Sequence, residues 1–110
     1  MDMIKHTIDG MMFNKLNVMH WHIIDEDSFP YEIPSLPELS QYGKVGGVYT
    51  TNDIKEIIAY ARYRGIRVVP ELDTPAHTES WGRSKKYENI TLNCNGQYEG
   101  QFDPTIELTW

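Results

Sequence analysis

Two short apolar runs constrain this chain more than any other feature. Val18 to Ile24 and Ile66 to Leu72 are rich in β-branched or aromatic side chains, and each follows a stretch with helical periodicity. Between residues 3 and 16, Ile4, Ile8, Met11, Met12 and Leu16 recur at a spacing of three and four and line one face of a helix, with Gly10 its weak point. Ile54, Ile57, Ile58 and Ala61 do the same further on. Thr50 and Asp53 read as a capping box, and Gly65 stands where a helix C-terminal glycine belongs. Helix, strand, helix, strand predicts an α/β fold with a parallel sheet and right-handed crossovers. Two strands alone do not bury both faces of such a sheet, so the expectation is a piece of a larger architecture.

The remaining segments read as loops. From Ser28 to Tyr49, Pro30, Pro34, Pro37, Gly43, Gly46 and Gly47 leave room for no more than a helical turn near Pro37 to Leu39. Residues 74 to 104, with Asn93, Asn95, Gly96 and Gly100, show no clear period. Composition narrows the function classes. Hydrophobic content of 40% with 12% aromatics argues against disorder. A net charge of −6, with Arg83-Ser84-Lys85-Lys86 the only basic cluster, argues against nucleic acid as a partner. No apolar run approaches the roughly 20 residues of a membrane span, and Met1 to His6 lacks the features of a signal peptide. Cys94 is the only cysteine and forms no disulfide within the chain. Asn89-Ile90-Thr91 is an N-glycosylation sequon, a triplet that also occurs by chance.

In parallel α/β architectures chemistry gathers at the carboxyl ends of strands, and both strand ends here are crowded with ionisable groups. The first offers Asp25, Glu26 and Asp27; the second offers Glu71 and Asp73, with His77 beyond Pro75. Carboxylates and an imidazole at close range push each other's pKa values apart, which yields a proton donor and an acceptor at one pH. Each group also has a plainer reading. Glu26 and Asp27 suit a solvated strand end, Asp73 before Thr74-Pro75 suits an Asx-turn, and Glu71 suits an internal hydrogen-bond partner. Asp25, which ends a strand too apolar for a sheet edge, is read as functional. His20 and His22 share one side of a strand by its period of two, as core histidines or as a His-x-His metal pair recruiting Asp25, Asp73 and His77. Trp21 and Trp81 suit a core, although an indole also stacks on a pyranose.

Met19-His20-Trp21-His22-Ile23-Ile24-Asp25 running into Ser28-Phe29-Pro30-Tyr31, then Pro37-Glu38-Leu39-Ser40, resembles the β-N-acetylhexosaminidases of glycoside hydrolase family 20. Arg64-Gly65-Ile66-Arg67-Val68-Val69-Pro70-Glu71-Leu72-Asp73-Thr74-Pro75-Ala76-His77-Thr78, with Ser80-Trp81-Gly82, continues the likeness in the form typical of eukaryotic lysosomal members, and Asp103-Pro104-Thr105 resembles the start of the next helix. The resemblance covers nearly the whole chain. It implies part of a (β/α)8 barrel, namely the first helix, the second strand and helix, and the third strand, since a complete barrel takes roughly 250 residues. It implies removal of terminal N-acetylglucosamine or N-acetylgalactosamine from glycans by a retaining mechanism in which the substrate's acetamido oxygen is the nucleophile.

In the family, the group that steadies the acetamido and the general acid form the Asp-Glu of a Gly-Gly-Asp-Glu motif. That motif is absent here, where Gly46-Gly47 runs into Val48-Tyr49, so the chain alone is expected to be inactive. What the resemblance carries over is support. Asp25 and His77 match a charge relay to the catalytic glutamate, and Asp73 matches the carboxylate that hydrogen-bonds the catalytic aspartate. Glu26 stands where the family usually has a second aspartate, and Ala76 where it has glycine. The resemblance further implies no cofactor and no metal, a lysosomal or secreted location, an intact enzyme that dimerises, and for Cys94 a disulfide partner beyond Trp110. Two other readings stand beside it: a metal-dependent hydrolase using His20, His22 and Asp25, and a non-catalytic sugar-binding remnant.

Overall fold

The structure is a computed structural model that describes residues 1–94 and 97–107. Asn95 and Gly96, counted above among the loop formers, and Trp110 lie outside the described residues. Helix α1 (Asp2–Phe13), strand β1 (Val18–Ile24), helix α2 (Pro37–Gly43), helix α3 (Thr51–Arg62) and strand β2 (Arg67–Leu72) follow in order, then a 3-10 helix (Glu79–Arg83) and strands β3 (Thr91–Cys94) and β4 (Gln97–Phe102). β1 neighbours β2 in one two-stranded sheet, and β3 pairs with β4 in another. The chain is thus a small α/β structure with no closed barrel among the described residues. It divides into two compact units, one of Met1–Trp21 with Tyr49–Glu71, the other of His22–Val48 with the described residues from Leu72 onward.

The first unit follows the periodicity in part, for Met12, Leu16 and Ile58 of the expected apolar faces are exposed. Ile8, Ile57, Ala61 and Ile66 are buried together, with Ile4, Met11, Met19, Trp21 and Val68 packed against them. Thr50 caps α3 by accepting from the Asp53 N–H at 3.2 Å while the Asp53 carboxylate accepts from the Thr50 N–H at 2.8 Å. Both helices close in the same way. After α3, the N–H of Ile66 donates to the carbonyl of Ala61 at 2.9 Å and that of Gly65 to Arg62 at 3.0 Å, with Gly65 at φ 70°. After α1, Leu16 donates to Met11 at 2.9 Å and Lys15 to Met12 at 3.1 Å, with Lys15 in the left-handed position at φ 59°. Lacking a glycine as marker, that stop was invisible to the periodicity, which carried the helix on to residue 16.

The second unit corrects two expectations. The segment from Ser28 to Tyr49 contains a seven-residue helix, α2, rather than a single turn. Pro37 sits in its first turn, where a missing N–H is no loss, so the residue read as a breaker is a starter. Residues 74 to 104 hold the 3-10 helix and the β3–β4 hairpin rather than mainly loop. The antiparallel register pairs Thr91 with Phe102 and Cys94 with Gln97, with an irregularity between Thr91 and Asn93. A slipped register breaks the period of two, which is why no strand signal survived in the sequence. Trp81 is the hub of this unit, edge-on to Phe29 at 4.8 Å and to Phe102 at 5.2 Å between ring centroids. Gly43 lies so close that a Cβ there would meet the Ser80 carbonyl oxygen at 2.5 Å and Phe29 Cβ at 2.7 Å.

Candidate active site

The buried end of β1, Ile23 and Ile24, delivers Asp25 at the point where the strand stops. A tight turn follows, in which the N–H groups of Asp25 and Ser28 each donate to the other's carbonyl at 3.1 and 3.3 Å. Ser80, 1% exposed, pins this turn from the 3-10 helix: its hydroxyl donates to the Asp25 carbonyl at 2.6 Å and its N–H to the Glu26 carbonyl at 2.9 Å. Asp25 Oδ1 accepts from the Glu26 N–H at 2.7 Å. Glu26 lies against β4 so closely that a Cβ on Gly100 would meet its Oε1 at 2.0 Å, so position 100 admits no side chain without displacing Glu26.

The end of β2 delivers Asp73, and His77 follows with φ 55°, an unusual backbone for a non-glycine residue. β4 holds that conformation from both sides. Phe102 donates to the Pro75 carbonyl and Thr78 to the Gly100 carbonyl, each at 2.9 Å, and Ala76 bridges Gln101. His77 Nδ1 is thereby set 2.7 Å from Asp73 Oδ2. The hydrogen bond to Asp73, then its charge, raise the His77 pKa above the ordinary histidine value against some opposition from desolvation; Glu26 and Asp25 push the same way. The pair therefore favours an imidazolium on a carboxylate. His22 Nε2 approaches the same carboxylate at 3.5 Å and Asp25 Oδ1 at 3.9 Å.

Asp25, Asp73 and His77 thus gather with His22 in one place, and the direct hydrogen bond of His77 goes to Asp73. His20 and His22 are exposed rather than core histidines, and His20 is paired with the half-buried Glu71 in the first unit. The donor atoms of His22, Asp25 and Asp73 lie within 4.8 Å of one another, so the geometric metal triad contains Asp73 in place of His20. Trp21 packs edge-on to Tyr49 at 5.1 Å, and Trp81 serves the aromatic cluster. Sequence reasoning missed Ser80 and Gly100 as parts of the site. A glycine inside a strand is a known sign of close approach, but it needed β4 to be recognised first.

The strand ends of this α/β structure thus present a hydrogen-bonded carboxylate and imidazole beside a further carboxylate, groups able to take up and release protons. Residues 1–107 match the glycosyl hydrolase family 20 catalytic domain. The chain belongs to that family. It is 48% identical over 114 aligned residues to the mouse β-hexosaminidase subunit beta, covering 97% of this chain and 21% of that protein. It is 55% identical over 82 residues to the rat β-hexosaminidase subunit alpha, covering 72% of this chain and 16% of that protein. The structure superposes on the family 20 β-N-acetylhexosaminidase of Streptomyces coelicolor A3(2) with a TM-score of 0.84 and 33% identity, over 98% of this chain and 24% of the other. A Streptomyces plicatus β-hexosaminidase variant solved in complex with its product GlcNAc is 32% identical, with a TM-score of 0.84 over 98% of this chain and 24% of that one. The chain spans about a fifth of the length of the curated relatives it matches.

Proposed function

We propose that this chain forms one section of the catalytic barrel of a β-N-acetylhexosaminidase, comprising the first helix, the second strand and helix, and the third strand of a (β/α)8 fold. The reaction is hydrolysis of terminal N-acetylglucosamine or N-acetylgalactosamine from glycans with retention of configuration, the acetamido oxygen of the substrate acting as nucleophile. The observation that carries this reading is the His77–Asp73 hydrogen bond, with Asp25 alongside, in a chain of this family. These three are positioning residues. Asp73 fixes the imidazole and favours its charged form, and Asp25 adds negative field at the same point. Together they act on the rotamer and proton affinity of the family's catalytic Asp-Glu pair, whose Gly-Gly-Asp-Glu motif these 110 residues do not contain. The isolated chain is accordingly inactive, because the general acid and the group that steadies the nucleophile supply the principal catalytic terms. The intact protein works as a dimer in a lysosomal or secreted setting.

The test is a graft. Residues 1–107 replace the matching segment of the mouse subunit beta, and hydrolysis of a fluorogenic N-acetylglucosaminide is followed. The graft is expected to be active. Asp73→Asn and His77→Ala in it are expected to lower kcat by about 100-fold, the usual cost of misplacing a catalytic group, with KM little changed and the pH profile altered. A folded graft in which both variants keep full activity would sink the proposal. A second reading, a divalent-cation hydrolase, is favoured by the clustering of His22, Asp25 and Asp73. Activity of the graft lost to a chelator and restored by zinc would establish it, and indifference to chelator would eliminate it.

A further inference from the structure

We propose that Asn89 is N-glycosylated, and that the glycan is added before the β3–β4 hairpin closes. The proposal rests on the secretory part of the function proposed above, and three features of the second unit carry it. The first is placement. The chain between the 3-10 helix and β3 turns back on itself, with Tyr87 donating to the Ser84 carbonyl at 2.8 Å and Ile90 to the Tyr87 carbonyl at 3.0 Å. Tyr87 and Ile90 are buried, and Glu88 and Asn89 between them are exposed. A sugar on Asn89 therefore projects to solvent without disturbing a packed side chain.

The second feature is the state of Thr91, whose hydroxyl completes the sequon. Thr91 is 3% exposed, and its Oγ1 is buried with no hydrogen-bond partner among the described residues. A buried polar group left unmade is costly, and a valine of the same shape would fill the site without that cost. Folding therefore gives no use to this hydroxyl, whereas the sequon requires it. The third feature is access. Thr91 Oγ1 lies 2.5 Å from where a Cβ on Gly82 would sit, and Asp103 donates to the Ile90 carbonyl at 2.8 Å from the far side of the hairpin. An enzyme that must engage the Thr91 hydroxyl reaches it only while this region is open.

The co-reactant is a polyprenyl-pyrophosphate-linked oligosaccharide. The Asn89 amide nitrogen bonds to the anomeric carbon as the bond from that carbon to the pyrophosphate oxygen breaks. The polyprenyl pyrophosphate leaves with the bonding pair, and the amide gives up one proton to a base of the transferase.

The full chain is translated behind a cleavable signal peptide in the presence of microsomes. The expected result is one endoglycosidase-sensitive mass increment on the protease-protected chain, lost in Asn89→Gln and equally in Thr91→Val. Protected chain without the increment, or an increment that survives Asn89→Gln, overturns the site. For the timing, unmodified full chain and a peptide of residues 86–94 are offered to purified transferase with lipid-linked oligosaccharide. Modification of the peptide alone is expected, and equal modification of both overturns the order of events. A cellular protein found outside secretory compartments, with the microsomal chain still modified, would uphold the sequon and strike down the compartment in the proposed function instead.

Discussion

Each of the two units of this chain is stabilised from within by different physics. In the first, the buried cluster of Ile8, Ile57, Ala61 and Ile66 is wholly apolar, and polar pairing stays outside it. Lys5 pairs with Glu56, and Asp9 binds both the Tyr60 hydroxyl at 2.9 Å and Arg64 Nε at 2.5 Å, with the guanidinium 3.4 Å over the Tyr60 ring. In the second unit, Ser40, Thr78, Ser80 and Ser84 are buried alongside apolar side chains, and each side-chain oxygen makes a hydrogen bond. Helices satisfy their own backbone and need only an oily face, whereas loops that present chemistry must have their carbonyls and N–H groups met by other segments. The first unit is packed as a scaffold, and the second holds the candidate site in place with hydrogen bonds.

The largest expected effect tests the scaffold. Ile57→Ala removes a fully buried side chain from the apolar cluster and is expected to cost about 2–5 kcal/mol, seen as a lower urea midpoint by tryptophan fluorescence. A loss under 1 kcal/mol would mean that the cluster is not what holds the first unit.

The next test uses one substitution in two places. Gly43→Ala places a methyl against backbone and Phe29 Cβ in the second unit, and a loss of about 1–3 kcal/mol is expected from overpacking. Gly10→Ala, in α1 with nothing within 4 Å of the new Cβ, is expected to stabilise by roughly 0.5–1 kcal/mol through helix propensity. Equal effects of the same sign would erase the contrast between the units.

The smallest effect is electrostatic. The folded-state pKa of His77 is raised, chiefly by its hydrogen bond to Asp73, so the stabilisation from this pair is fully present below the ordinary histidine value of 6.5 and fades as pH rises through the higher folded value. Imidazole resonances followed by NMR are expected to titrate above the ordinary range, and Asp73→Asn is expected to bring the midpoint down. An unchanged midpoint in that variant would assign the shift to Asp25 and Glu26.

Much of the scaffold was legible beforehand. β1 runs over Val18–Ile24 as its apolar content predicts, α3 starts at its capping box, and Gly65 closes it with a left-handed turn. The first unit's helices and strand carry regular periods, and local capping chemistry marks their ends. What escaped notice lies in the second unit and at one helix end. α2 begins on a proline, β3 and β4 pair through a slipped register, and α1 stops on a lysine in a glycine's conformation. Of the candidate site, Asp25, Asp73 and His77 were nominated by their position at strand ends. Ser80 and Gly100 were not, because neither residue type announces a role without a partner.

Residue spacing by itself determined α1, β1, α3 and β2, which side chains reach the ends of those two strands, and the family likeness, since these depend on neighbours a few positions away or on residue order. Only the tertiary structure decided that His77 bonds Asp73 while His20 takes Glu71, and that Ser80 reaches back 55 positions to hold the Asp25 carbonyl. It also decided that Gly100 makes room for Glu26. Contacts between distant segments depend on how backbone groups left over from helices and sheets find partners, and no local period encodes that choice.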